Sequence, residues 1–170
     1  WDEPANYHLW QVEDAFLLGE ALLAAPVLEP GIRHRSLSLP DGDWFSLWDE
    51  KIHHGPGEIY LPVSLEHIPV LVRGGCILPL VEGSVLHLHL YTPKAGHPWR
   101  GGRLFSDAGD GYGSSRLDAW IVKEINDRLV VRWEQQGDFP FPYQDVILHL
   151  HGYAVKSAQQ NGSELPVKEN

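Results

Sequence analysis

Ten histidines in 170 residues are the first chemistry-bearing feature of this chain. Four of them form two His-x-His pairs, His87/His89 and His149/His151. Each pair sits in a run that alternates apolar and polar residues, so on a strand both imidazoles project from one sheet face. A divalent metal can use that spacing, and a metal enzyme built on the pairs is one reading, but a site also needs a third ligand and a pocket. The reading favoured here is a polar outer face of two alternating strands, paired with each other, and no metal ligand is assigned.

Paired carboxylates would serve hydrolysis, one as acid or base and one as nucleophile. The early acids are Asp2, Glu3, Asp14 and Glu20, with Glu13 beside Asp14. Glu13 and Asp14 fall on the polar face of a predicted helix, where carboxylates are ordinarily solvated. No catalytic residue is assigned among them. The lone Cys76 lies in an apolar run, which predicts a buried inert thiol rather than a nucleophile and rules out an internal disulfide. Trp99, Tyr112 and Tyr143 lie in or beside predicted loops. Aromatic rings there either stack on sugar faces or cap the ends of a sandwich. The second use is the commoner one, and no substrate-binding residue is assigned.

The elements that must position these groups are mostly strands. Residues 5–18 read as a helix, with Leu9, Val12, Phe16 and Leu17 on one face and Gly19 placed to stop it. Ala21–Val27 is an apolar run without alternation, as in a strand covered on both faces. Together they read as the last piece of an α/β domain. Beyond Glu29 the texture is that of short strands and turns. His34–Leu39 and Trp44–Trp48 read as a hairpin about Pro40-Asp41-Gly42-Asp43. Trp44 and Trp48 share a face and read as packing residues. Residues 49–57 read as loop and Glu58–Val63 as a strand, placed at an edge by Pro62.

Ile68–Leu80 is two apolar runs joined by Arg73-Gly74-Gly75. It reads as a buried central strand pair of a sandwich, with the glycines permitting a bulge or bend. Glu82-Gly83-Ser84 is a plausible boundary. Val85–Tyr91 alternates, with Leu86, Leu88 and Leu90 on one face and His87, His89 and Tyr91 on the other. Further strands are read at Arg103–Ser106, Leu117–Ile125, Arg128–Glu134 and Asp145–His151. A closing pair, Ala154–Ser157 and Leu165–Lys168, flanks Asn161-Gly162.

The composition, 43% hydrophobic and 21% charged, is that of a globular protein. A net charge of −10 disfavours nucleic acid and anionic membranes as partners and leaves neutral sugars open. No run is long enough for a membrane-spanning helix and no signal peptide is visible, so a cytoplasmic location is favoured. The chain opens at Trp1 and holds no Met. A piece of a longer protein, a cleaved product or a designed chain is therefore expected.

Three stretches carry a resemblance. Phe16-Leu17-Leu18-Gly19-Glu20-Ala21-Leu22-Leu23-Ala24-Ala25-Pro26-Val27 resembles the end of the catalytic barrel in glycoside hydrolase family 31, the α-glucosidases and α-xylosidases. Leu37–Trp48 and Ile68–Pro79 continue it in the same order and spacing. After residue 84 the likeness is looser. Leu104–Tyr112 resembles an acidic turn of the family's last β-domain, but Ser106 and Ala108 depart from its pattern and no ligand role is carried over.

The resemblance implies a mainly β fold. Two small antiparallel β-sandwich domains, 28–83 and 84–170, would follow residues 1–27, the last helix and strand of a (β/α)8 barrel. It implies a retaining mechanism with two carboxylates about 5 Å apart, both on earlier barrel strands. Those motifs are not in this chain, so no catalytic, substrate-binding or metal-ligating residue is assigned, and no cofactor is expected. The implied partner is an upstream catalytic barrel of the same parent chain, with an α-glucan or oligosaccharide as a candidate ligand. The expected role is accessory support of an α-glucosidase-like enzyme, and the chain alone is expected to be inactive. The alternative is a stand-alone carbohydrate-binding β-sandwich module.

Overall fold

A computed structural model describes residues 3, 5–109, 112–126 and 128–168. The mainly β class stands, but the barrel remnant is not visible. The expected helix over 5–18 is reduced to one turn, α1 (Tyr7–Trp10), and Phe16–Leu18 is instead strand β1. Tertiary pairing overrides the helical spacing here. β1 pairs antiparallel with β2 (Leu22–Ala24), Phe16 opposite Ala24. The Arg35 guanidinium takes the carbonyls of both Asp14 and Pro26, which ties the two ends of this segment to the sheet. β2 then runs antiparallel to β5 (Val70–Arg73), so it is not a strand of a parallel barrel.

The first sheet has the order β1-β2-β5-β3-β4, with β3 (His34–Ser46) and β4 (Ile52–Pro62) forming a long hairpin. Pro40–Asp43, expected as a turn, is a bulge inside β3: pairing stops at Leu39–Gly57 and resumes at Gly42–Gly55. Two contacts hold it. The Trp44 indole N–H donates to the Pro40 carbonyl at 3.1 Å, and Gly55 lies so close to Pro40 that a Cβ there would stand 1.9 Å from its carbonyl oxygen. The real turn comes later, so residues 52–57 are strand rather than loop. β4 is an edge strand, as Pro62 implies. Leu23, Leu37, Leu39, Trp44, Leu61 and Leu71 bury a common core.

The second unit is a sandwich of two three-stranded sheets. One has the order β11-β7-β6, from β6 (Ile77–Glu82), β7 (Val85–Tyr91) and β11 (Asp145–His151). The other is β10-β9-β8, from β8 (Gly102–Asp107), β9 (Ser115–Ile125) and β10 (Arg128–Gly137). Ile77, Leu86, Leu88 and Leu90 of one sheet meet Trp120 and Val122 of the other. Pairing is antiparallel throughout except between β7 and β11, which run parallel. The closing hairpin, β12 (Ala158–Gln160) and β13 (Ser163–Leu165), turns at Asn161-Gly162 as expected, both at positive φ, with strands nearer the turn than read.

Ile68–Leu80 therefore does not form a strand pair: β5 completes the first sheet and β6 opens the second unit. Glu82–Ser84, the expected boundary, is the turn of the β6–β7 hairpin. The bend is made by the glycines. Gly75 has φ +89°, and a Cβ there would stand 2.6 Å from the Pro98 carbonyl, while one on Gly74 would stand 2.6 Å from the Thr92 carbonyl.

The two expected packing tryptophans part company. Trp44 is fully buried, whereas Trp48 is 53% exposed, because β3 ends at Ser46 and the i, i+4 alternation ends with it. Trp48 keeps one hydrogen bond, to the Ile68 carbonyl at 2.7 Å. Thermal or denaturant unfolding should separate them: Trp44→Ala should cost about 3–5 kcal/mol, and Trp48→Ala about 1 kcal/mol. Equal losses would refute these placements.

Candidate functional site

The densest group of chemistry-bearing side chains lies on the face of β7 and β11 away from the core. Leu86, Leu88 and Leu90 turn inward, so His87, His89 and Tyr91 turn outward. The parallel register sets His149 opposite His89 and His151 opposite Tyr91. The five rings stack in one ladder. His89 lies on His149 with centroids 4.4 Å apart and planes 9° apart, and Tyr91 lies on His151 with the same figures.

Two hydrogen-bonded rows cross the ladder. In one, His87 Nδ1 meets His149 Nε2 at 2.9 Å, and Glu82 Oε2 stands 3.8 Å from His87 Nε2. In the other, His89 Nδ1 meets His151 Nε2 at 2.9 Å, and Glu50 Oε1 stands 3.6 Å from His151 Nδ1. The carboxylates stand at opposite ends of the two rows. His89, His149 and His151 are half-buried, and burial works against their charged form. Burial, then the neighbouring imidazoles His149, His151 and His87, pull His89 down to about 4. Burial lowers His149, with His87 adding to it. It lowers His151 against the pull of Glu50. Burial, then Glu50, raises Tyr91 to about 12. The paired face read from sequence is thus present, and each imidazole spends a ring edge on a neighbour.

The other candidates do not converge. Asp2 lies outside the described residues, as do Asp110 and Gly111 of the acidic turn. Glu3 accepts from the Asn6 amide at 3.0 Å, and Glu20 is exposed. Asp14 faces a cleft of about 650 Å³ between the N-terminal segment and the β3–β4 hairpin, together with Glu58. Asp14 is bound to Arg35 at 2.8 Å, and Glu58 accepts from the Ser36 hydroxyl. Cys76 is buried. Trp99 and Tyr143 pack against the core of the second unit, and Tyr112 alone of the three aromatics stands fully open. Sequence reasoning passed over Glu82 and Glu50, because neither strand register nor the β3–β4 turn marks them as neighbours of histidines.

Residues 1–78 match the glycosyl hydrolase family 31 C-terminal domain. Residues 1–78 are a C-terminal domain of glycoside hydrolase family 31. Neutral alpha-glucosidase AB of Mus musculus is 41% identical over 78 residues, covering 45% of this chain and 8% of that protein. The alpha-glucosidase of Hordeum vulgare is 29% identical over 136 residues, covering 74% of this chain and 16% of that protein. Among solved structures, a family 31 dextranase of Flavobacterium johnsoniae complexed with glucose matches with a TM-score of 0.79 at 22% identity, covering 98% of this chain and 23% of that one. The last likeness concerns the fold alone. The ladder lies beyond the 78 residues that match family 31.

A neutral ladder has a pH signature. The unfolded chain protonates these histidines near pH 6.5, whereas the folded chain holds His89, His149 and His151 below that. Between the two the unfolded state binds more protons, so stability falls as pH falls through the window. Asp41, held down by its hydrogen bond from Lys94, and Asp49, held to about 2 by Lys51 and Ser46, lose their contributions only at lower pH. The melting temperature in chelator-containing buffer should therefore drop from pH 7 to pH 4.5, and less steeply in His89→Gln. A flat profile across that window would refute the neutral ladder.

Proposed function

We propose that this chain is the accessory C-terminal β-region of a larger α-glucosidase-like enzyme of family 31 acting on O-glycosyl bonds, and that it braces a catalytic barrel of the same parent chain. The match of residues 1–78 to the family's C-terminal domain carries this reading. The surface of the N-terminal segment supports it. Tyr7, Trp10, Phe16, Leu17 and Leu18 are all exposed, and β1 is an outer strand of the first sheet. An apolar band of this kind on a sheet edge fits burial against another domain. We draw the domain division at Gly74–Gly75, with the first unit lying nearer the barrel and the second farther from it.

On this reading the chemistry belongs to the catalytic barrel of the parent chain. Asp14 and Glu58, which line the cleft beside the N-terminal segment, are held by Arg35 and Ser36, whereas a retaining glycosidase needs a nucleophile and an acid/base about 5 Å apart. The partners implied are the barrel and, through it, an α-linked glucoside or xyloside. A purified sample of the 170 residues should give no turnover of a chromogenic α-glucoside. Clear, saturable turnover would overturn the assignment of the chemistry to other residues of a longer chain. Maltose titration tests the remaining alternative: binding in the millimolar range or tighter, lost in Tyr112→Ala, would make the second unit a sugar-binding module.

A further inference from the structure

The ladder supplies the third ligand that the His-x-His spacing lacked. We propose that His87, His89 and His149 form a binding site for a first-row divalent cation of the zinc type on the outer face of β7 and β11. One nitrogen from each of the three lies within 4.8 Å of the others. Zinc–imidazole bonds of about 2.0–2.1 Å in a tetrahedron set ligand nitrogens about 3.4 Å apart, and the rings of His89 and His149, now nearly parallel, must tilt out of the stack to aim their lone pairs at one point. Two histidines two apart on one strand and a third on its neighbour give a facial set of three imidazoles. The fourth position then opens to water, because the rings are only half-buried. An all-nitrogen set favours zinc, copper or nickel over calcium and magnesium, which take oxygen.

The surroundings fit the ligand role. Metal-bound histidines usually hold a carboxylate or another acceptor on the second ring nitrogen. Here Glu82 stands at His87 Nε2, and His151, itself facing Glu50, holds His89 Nδ1. The 2.9 Å contact between His87 Nδ1 and His149 Nε2 shares one proton and must open for the metal. With both rings neutral, each keeps its one proton on the nitrogen turned away from the metal, His87 on Nε2 facing Glu82 and His149 on Nδ1, so Nδ1 of His87 and Nε2 of His149 are free as ligands and no proton is released. The backbone beneath is a paired sheet, so the three Cα positions are fixed before the metal arrives.

Zinc chloride titrated into the chelator-stripped 170-residue chain tests this. Calorimetry should show one equivalent bound with a dissociation constant in the micromolar range or tighter. His149→Gln should weaken it by more than about tenfold, and His53→Gln, on β4, should leave it unchanged. Ring-nitrogen resonances of the unaltered chain give a second readout that needs no variant: zinc should shift those of His87, His89 and His149 together. The proposal falls if binding does not saturate, if both variants weaken it equally, or if those three resonances do not move.

Discussion

The fold depends on one short reversal of the backbone, Arg73-Gly74-Gly75-Cys76. Four peptide groups there serve two sheets. The Gly74 N–H donates to the Asp43 carbonyl of β3 at 2.7 Å, and the Gly75 N–H donates to the Tyr91 carbonyl of β7 at 2.7 Å. The Gly75 carbonyl accepts from Arg100 at 2.7 Å and Gly101 at 3.1 Å, and the Cys76 carbonyl accepts from Tyr91 at 3.1 Å. Side chains at 74 and 75 would collide with the carbonyls of Thr92 and Pro98, so the close approach requires glycine. Such groups, once out of water, must be paired, and here each unit supplies partners for the other's chain. The units are therefore joined through backbone geometry rather than through a flexible linker.

Side chains reinforce the same junction. Arg73 is buried with its guanidinium 4.7 Å from the Trp44 ring centre, which ties the last strand of the first sheet to its core. Phe45, Val72 and Tyr91 form a small core between the units. Lys94 reaches back from the second unit to Asp41 at 2.6 Å and to the Gly55 carbonyl at 2.8 Å, both at the β3 bulge. The bulge that replaced the expected turn thus has a use: it presents a carboxylate and a carbonyl to a lysine of the other unit.

Where the pattern was local, the sequence was legible. The Leu86/Leu88/Leu90 and His87/His89/Tyr91 alternation on β7 is a period-two signal. The Asn161-Gly162 turn needs φ > 0, which those residues supply cheaply. The Gly-Gly pair announced a bend, but not that the runs either side join different sheets. What failed needed partners far along the chain. Residues 16–18 carry helical spacing, yet they pair with β2 because Arg35, some 20 positions on, pins the segment through Asp14. The histidine pairs were visible; their interleaving was not. It follows from parallel pairing of strands about 60 residues apart, which nothing in either strand specifies.

That interleaving explains why imidazoles serve this face. A half-buried strand pair must cover apolar surface while satisfying polar groups, and most side chains do one or the other. Imidazole does both: its flat face stacks on the next ring and its edge donates or accepts. The parallel register staggers the two strands so that rings from β7 and β11 alternate along the column, ending on Tyr91 against Phe45 at the junction. Glu50, carried by the first unit, closes the other row through His151. The column is thus anchored at one end in the contact between the units. Any change that moves its rings, by protonation or by ligation, acts on a structure already continuous with the junction between the units, because Thr92, the next residue of the chain after Tyr91, binds the His151 carbonyl through both its N–H and its hydroxyl.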